Sequence, residues 1–260
     1  MSAKKTKVIL YGCYGRMGTA VSNLIAAAQD IEIVAGIDAI ASKEMRPYPV
    51  DDKINNCKIS ADVVINFAPP TAGDDILELL NYCVSKQIPI VIGTTSLPPQ
   101  VEAAVAEASK TIAIFQAANL SLGLNLLAHI MSGAAKLLHN SQFDIEIIEK
   151  HHSKKLDAPS GTALTLAQII NESVENSLHI VTDRSQQHAE RSRNEIGIHA
   201  IRGGTITGEH SVIFAGTGET IEFTHRAESR DVFAHGAIKA AQFTCGKPAG
   251  MYGMADLLKV

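Results

Sequence analysis

The sequence predicts an α/β fold: a parallel sheet covered by helices on both faces, followed by an α+β half with a mostly antiparallel sheet. Three observations predict it. Up to about Ser121, short uninterrupted apolar segments alternate with helical patterns, as strands buried on both faces require. A glycine-rich turn joins the first of these strands to the first helix. Beyond Ser121 the strand candidates switch to apolar–polar alternation and are joined by glycine turns, the pattern of a sheet with one wet face.

The elements follow in order. Val8–Tyr11 leads to a helix from Arg16 to about Ala28, then to the strand Ile33–Ile37 and an irregular loop with Pro47 and Pro49. Val63–Phe67 ends in Pro69-Pro70, and a helix runs through Leu77, Leu80 and Val84. Ile88–Ile92, the Ala-rich helix Val101–Ser109 and Ile112–Phe115 complete the first half. The second half opens with a long helix, Leu122–Leu138, and a half-exposed strand, Phe143–Ile148. A polar loop with Pro159 and Gly161 precedes the helix Ala163–Ile170, and a polar excursion occupies Val174–Asn194. Strands are expected at Gly197–Ile201, Val212–Ala215 and Thr220–Ala227, with hairpin-like joins at Gly203-Gly204 and Gly216-Thr217-Gly218. A last helix covers Val232–Phe243.

Composition narrows the function. The 260 residues are 46% apolar and 19% charged, with a formal net charge of -4, which disfavours nucleic acid as a partner. No apolar run approaches the roughly 18 residues of a membrane span, and the basic start, Met1 to Lys7, lacks the apolar stretch of a signal peptide. Cys13, Cys57, Cys83 and Cys245 stand singly, which reads as reduced thiols in a reducing compartment. A cytoplasmic protein is expected.

Gly12-Cys13-Tyr14-Gly15-Arg16-Met17-Gly18 lies where the first strand turns into the first helix. Glycines there allow a tight turn and a close approach to pyrophosphate, and the helix N-terminus offers N–H groups to negative charge. The spacing is Gly-x-x-Gly-x-x-Gly, with Tyr14 where the usual fingerprint has its second glycine. Asp38, just after the second strand, is placed to accept from the ribose hydroxyls of a dinucleotide. It repels a 2′-phosphate and so leans towards NADH over NADPH, although Lys43 and Arg46 lie nearby in the sequence. A solvated turn aspartate and an ordinary glycine turn are the alternative readings.

The second site candidate is Glu149-Lys150-His151-His152-Ser153-Lys154-Lys155-Leu156-Asp157-Ala158-Pro159-Ser160-Gly161-Thr162-Ala163. Histidine is the side chain most easily poised to donate a proton near neutral pH, and Lys155 can hold a carboxylate or act as a second acid. Ser160-Gly161-Thr162 opens a helix and offers hydroxyls and N–H groups to an anion; plain N-capping explains Ser160 and Thr162 as well. There is no His-x-x-x-His or Cys pair to complete a metal site. The stretch reads as a site for a small anionic substrate that must be protonated.

His151-His152-x-x-Lys155-x-Asp157-Ala158-Pro159-Ser160-Gly161-Thr162-Ala163 resembles the signature of dihydrodipicolinate reductases, the 4-hydroxy-tetrahydrodipicolinate reductases of lysine and diaminopimelate synthesis. Gly15-Arg16-Met17-Gly18, Gly93-Thr94-Thr95, Ala117-Ala118-Asn119-Leu120-Ser121-Leu122-Gly123, the stretch Ile201–His210 and Gly250–Met254 resemble the same family. The resemblance implies a Rossmann-like domain of residues 1–121 and 231–260, interrupted by a substrate-binding and oligomerising domain, 122–230, and a homotetramer. It implies His151 as proton donor, Lys155 as second donor, and His152, Gly161 and Thr162, with Ser160, as substrate contacts. It implies cofactor contacts from the loop Gly12–Met17, Asp38, Gly93–Thr95 and Ala117–Leu120, with NADH or NADPH as cofactor. The substrate, a heterocycle with two carboxylates, would take hydride at one carbon and a proton from His151 at the other end of the conjugated system; Arg202 or His152 would suit its second carboxylate. Hinges are expected near Ser121 and Ala227–Asp231. Ser96 and Asn66-Phe67-Ala68 depart from the family's habit of Gly and of Asp-Phe-Thr or Asp-Phe-Ser. An amino-acid dehydrogenase and a non-catalytic NADH sensor on the same architecture remain as other readings.

Overall fold

The computed structural model describes residues 4–39, 45–185 and 187–259; Lys43 and Gln186 lie outside them. In chain order the elements are β1 (Thr6–Tyr11), α1 (Arg16–Ala26), β2 (Ile31–Ile37), β3 (Val50–Asp51), β4 (Val63–Asn66), α2 (Gly73–Lys86), β5 (Ile90–Ile92), α3 (Pro99–Ala108), β6 (Ala113–Gln116), α4 (Leu122–Asn140) and β7 (Asp144–His151). They continue as α5 (Gly161–Ser173), β8 (His179–Val181), β9 (Glu195–Arg202), β10 (Gly208–Gly216), β11 (Glu219–Ala227), α6 (Asp231–Thr244), β12 (Gly250–Tyr252) and α7 (Met254–Leu258). One compact unit takes the chain up to Leu122 and from Arg230 onward; a second takes Gly123–Ser229.

A strand that is apolar at every position must be buried on both faces, and the first unit is built so. Its seven strands run in the order β12-β6-β5-β4-β1-β2-β3, every pair parallel. Alternate residues feed two cores. Ile9, Val64, Ile90 and Ile92 pack with α2 and α3, while Val8, Leu10, Ile65 and Val91 pack with α1 and α6. The chain leaves β1 towards β2 on one side and returns to β4 on the other, which opens a crevice at the carboxyl ends of β1 and β4 where such sheets take ligands. Gly236 of α6 has no room for a side chain: a Cβ would lie 1.7 Å from Leu120 O. The C-terminal helix therefore belongs to this unit by close packing. The sequence pattern does not reveal β3 and β12, strands of two and three residues too short to carry a period.

The second unit's sheet has the order β11-β10-β7-β9-β8. It is mixed, with antiparallel pairing at its β11-β10-β7 side and parallel pairing at its β7-β9-β8 side. Gly216-Thr217-Gly218 does close a hairpin. Gly203-Gly204 does not, because β7 lies between β9 and β10; the two glycines cross the end of β7, where Gly203 N–H donates to His151 O (2.9 Å) and Ser153 N–H to Gly204 O (3.2 Å). β7 also extends to His151, beyond its expected end at Ile148, and so carries the histidine on a strand rather than in a loop.

One face of this sheet presents Ile145, Ile147, Ile196, Ile198, Val212 and Phe214 to α4 and α5, which cover it with Leu124, Met131, Leu166 and Ile170. The same face turns polar towards the end of β7, where Glu149 and His151 continue the alternation.

Candidate active site

Side chains two apart on a strand share a face, so burial of Ile145 and Ile147 carries Glu149 and His151 inward with them. Glu149 is fully buried. Such a carboxylate is tolerated only with partners for its lone pairs, and four donors supply them. Arg202, opposite His151 in the β7–β9 register, forks onto it with Nη2 to Oε1 (2.6 Å) and Nη1 to Oε2 (2.7 Å). Ser160 N–H donates to Oε1 at 2.9 Å, and His151 Nδ1 stands 2.6 Å from Oε2. Burial pushes the Glu149 carboxyl upward, but the bonds from Arg202, His151 and Ser160 outweigh it and hold the group below its ordinary range. For His151 burial lowers the proton affinity, Glu149 raises it, and Lys155 and Arg202 lower it again; the net shift is downward.

His210, opposite Glu149 in the β10–β7 register, packs edge-on against His151 with ring centroids 5.1 Å apart. Burial pushes its pKa down to about 4, so it is a neutral ring near pH 7. Its Nε2 stands 3.1 Å from Ser160 Oγ, which also accepts from Ala163 N–H at 3.2 Å and thereby caps α5. Beyond β7, Lys155 Nζ meets Asp157 Oδ1 at 2.9 Å. Burial acts upward on the Asp157 carboxyl, and the bonds from Lys155 and from the N–H groups of Asp157 and Gly161 hold it below its ordinary range. The Ala158–Pro159 peptide is cis. His152 keeps Nδ1 buried without a partner among the described residues.

In the first unit, the other predicted residues gather at the carboxyl ends of the parallel strands. Gly12 has φ +78°, and a Cβ on Gly18 would lie 2.1 Å from Gly12 O; both positions exclude a side chain. Gly15 is the N-cap of α1 and offers no side chain to its first turn, which includes Arg16 and Met17 and contains no acid. The loop's own N–H groups are otherwise engaged: Gly12 and Cys13 donate to Ile37 O, Gly15 to Gly12 O, and Tyr14 to Asp38 Oδ2 at 2.9 Å. What the loop leaves for an anion is the helix N-terminus, an arrangement that fits a pyrophosphate. Arg46 braces the loop through Nη2 to Cys13 O (3.0 Å) and Thr19 Oγ1 (2.9 Å), its guanidinium 5.2 Å from the centre of the Tyr14 ring. Burial, with Asp38 adding and Arg46 opposing, raises the Cys13 thiol to about 11. A Cβ on Gly93 would strike the Phe67 ring at 2.3 Å, and Thr94 Oγ1 donates to Ala68 O at 2.6 Å. Thr95 is exposed, and Ser96 adopts a left-handed φ of +56°, where glycine is free of strain. After β6, Ala117 and Ala118 lead to Asn119, whose Oδ1 accepts from Ser121 N–H at 2.9 Å, and Leu120 is buried in the core beside α6.

Models of the dihydrodipicolinate reductase N-terminus and C-terminus match residues 6–120 and 123–258. The chain belongs to the dihydrodipicolinate reductase family. Its relatives include 4-hydroxy-tetrahydrodipicolinate reductases of Clostridium tetani, 45% identical over 97% of this chain and 96% of that one, and of Caldanaerobacter subterraneus, 46% identical over 97% and 98%. Among solved structures, a dipicolinate-bound dihydrodipicolinate reductase from a Paenisporosarcina strain superposes with a TM-score of 0.78 at 23% identity, covering 97% of this chain and 98% of its own. Diaminopimelate dehydrogenase of Corynebacterium glutamicum gives 0.56 at 14% identity, over 98% and 93%. Those two likenesses bear on the fold.

In this reductase the structure brings His151, Ser160 and Arg202 together and sets Lys155 and Asp157 beside them through Arg202 Nη2, which also donates to Asp157 O at 2.5 Å. One expectation changes. Arg202 is not held out for a substrate carboxylate, because its fork is taken by Glu149. Ser160, expected as a substrate contact, is buried, with its N–H donated to Glu149 and its hydroxyl accepting from Ala163 N–H, so it also braces the site. Sequence reading gave Glu149 and His210 no role of their own. The signal for Glu149 was present: two apolar positions, 145 and 147, followed at the same spacing by an acid and a histidine. His210 depends on the cross-strand register and leaves no local mark.

Proposed function

We propose that this reductase converts 4-hydroxy-tetrahydrodipicolinate to tetrahydrodipicolinate, with loss of water, in lysine and diaminopimelate synthesis. The observation that carries the reading is the buried cluster of Glu149, His151 and Arg202 with Lys155 beside it: an imidazole held in one orientation next to a cation, inside a signature that the family shares. When bound, NADH or NADPH supplies the hydride. His151 gives the proton, and Lys155, leaving Asp157, holds a carboxylate of the heterocycle or gives a second proton. His152 and the N-terminus of α5 at Gly161 and Thr162 complete the anion contacts.

The helix N-terminus at Arg16 and Met17 would hold the pyrophosphate. Asp38 would meet the adenosine ribose, which favours NADH, with Arg46 close by as the cation able to admit a 2′-phosphate. Gly93–Thr95 and Ala117–Leu120, at neighbouring strand ends, would line the cofactor's far half. The second unit's other sheet face, with half-buried Ile148 and Ile213 among Lys150, Glu209 and Arg226, is the surface on which four copies would assemble. Four free thiols suit the cytoplasm, and among the described residues no helix is long and apolar enough to cross a membrane.

The test follows cofactor absorbance with freshly generated 4-hydroxy-tetrahydrodipicolinate, comparing NADH with NADPH. Wild-type turnover that falls by about 10² or more in His151→Gln and Lys155→Ala is the expected result. Tight NADH binding without oxidation would refute the reading and favour a sensor.

A further inference from the structure

Glu149 carries the most deeply buried charge at the site, and no step of the proposed reaction uses it. It is gripped from three elements: Arg202 from β9, Ser160 from the start of α5, and His151 from its own strand. Held this way, the carboxylate cannot turn from the imidazole. An ionised carboxylate has no proton to give, so the hydrogen in the 2.6 Å contact with His151 sits on Nδ1. The other ring nitrogen faces Gly208, where a Cβ would stand 3.2 Å from Nε2. The absent side chain keeps that edge of the ring open.

We infer that Glu149 is a positioning residue: clamped by Arg202 and Ser160, it keeps one proton on His151 Nδ1 and so makes Nε2 the atom that delivers the other. The inference rests on reading His151 as the proton donor. On transfer the Nε2–H bond of the imidazolium breaks and the new bond forms at the substrate. The ring is left neutral with its remaining proton on Nδ1, and solvent restores the Nε2 proton. Arg202 acts through Glu149 and is not a substrate anchor.

The charged and titratable groups around His151 are Glu149 on β7, Arg202 on β9, His210 on β10 and Lys155 in the following loop. Glu149 draws the ring's proton affinity up, whereas Arg202 pushes it down. Removing the two therefore moves His151 in opposite directions, and only Glu149 fixes which ring nitrogen keeps the proton.

Nitrogen-15 resonances of labelled histidine, followed against pH in the full-length protein, test the inference alongside the pH profile of kcat/KM. The wild type is expected to show the Nδ1–H tautomer once His151 is neutral. Glu149→Gln should lose that preference, titrate at lower pH, carry the basic limb of kcat/KM down with it, and fall in kcat/KM by about 10². Arg202→Met should move the titration up. Gly208→Ala, which leaves the clamp intact, should keep the tautomer and lower kcat by crowding Nε2; it serves even where Arg202→Met folds poorly. An Nε2–H tautomer in the wild type, or a Glu149→Gln protein with unchanged tautomer and midpoint, would overturn the inference. A correct tautomer in a wild type that reduces no heterocycle would instead refute the proposed reaction and leave the proton placement standing.

Discussion

Replacing Arg202 with methionine should destabilise this reductase by more than the loss of a surface ion pair, because the carboxylate left behind cannot reach water. The Glu149 side chain is 0% exposed and that of Arg202 18%. Removing one partner of a buried pair costs about 3–5 kcal/mol. Two features reduce that here. The guanidinium keeps some solvent contact, and Glu149 retains Ser160 N–H and His151, whose ring can take up a proton and supply charge. A loss of roughly 2–4 kcal/mol is expected at neutral pH, against a total stability of about 5–15 kcal/mol.

The loss should also depend on pH, with a definite sign. In the wild type the bonds from Arg202, His151 and Ser160 together outweigh burial and keep the Glu149 carboxyl below its ordinary 4.5. The associated stability is complete above the unfolded value and vanishes as pH falls through the folded one. Without Arg202 the largest of those bonds is lost, the folded carboxyl binds its proton more readily than in the wild type, and the penalty shrinks on acidification. Urea unfolding at a series of pH values measures both quantities, and at an m of about 2–3 kcal/mol/M the midpoint should drop by about 1 M. A loss below about 1 kcal/mol at neutral pH, or a gap between the proteins that stays constant as pH is lowered to about 4.5, would refute the reasoning.

Two further outcomes follow from the same structure. Burial holds His210 at about 4 against an ordinary 6.5, so its contribution to stability is complete above about 6.5 and is lost as pH falls towards 4; His210→Gln should flatten the stability curve in that window, and an unchanged curve from urea unfolding would count against a buried neutral ring. Gly18→Ala would place a Cβ 2.1 Å from Gly12 O and 2.7 Å from Cys13 Cα, backbone atoms that cannot move aside cheaply. NADH binding, read by fluorescence, should weaken at least about tenfold while the melting temperature falls by the few degrees of a 1–3 kcal/mol overpacking cost, and unaltered affinity would remove the loop from the cofactor site.

The first unit was legible because its strands announce themselves. Val8–Tyr11, Val63–Ile65 and Ile90–Ile92 are apolar without interruption, and only a sheet covered twice buries such runs. β3 stayed hidden inside the Pro47–Pro49 loop: two residues, Val50 and Asp51, pair with Gly36 and Ile37 and have no pattern of their own. In the second unit Gly203-Gly204 misled for a physical reason. Glycine pairs mark a sharp change of direction, and a hairpin is one way to use it. Here the pair carries the chain over the end of β7 to its far side, and nothing local distinguishes the two uses.

Arg202 shows where reading a site from sequence stops. An arginine after a strand, in a chain that handles a dicarboxylate, invites the role of substrate anchor. The role actually taken is decided by register: β9 runs parallel to β7 with Arg202 level with His151, so the guanidinium meets Glu149 before any ligand arrives. The competition is unequal. A fixed buried carboxylate offers the fork two oxygens with no ordering cost at binding, while a ligand carboxylate must first be desolvated and oriented. Arg202 is therefore committed in the folded state, whereas Lys155, which the proposed reaction uses as an anion contact, has a half-exposed partner in Asp157 that can be released to water. That asymmetry, a buried partner for the arginine and an exposed one for the lysine, separates the cation that positions from the cation left able to bind.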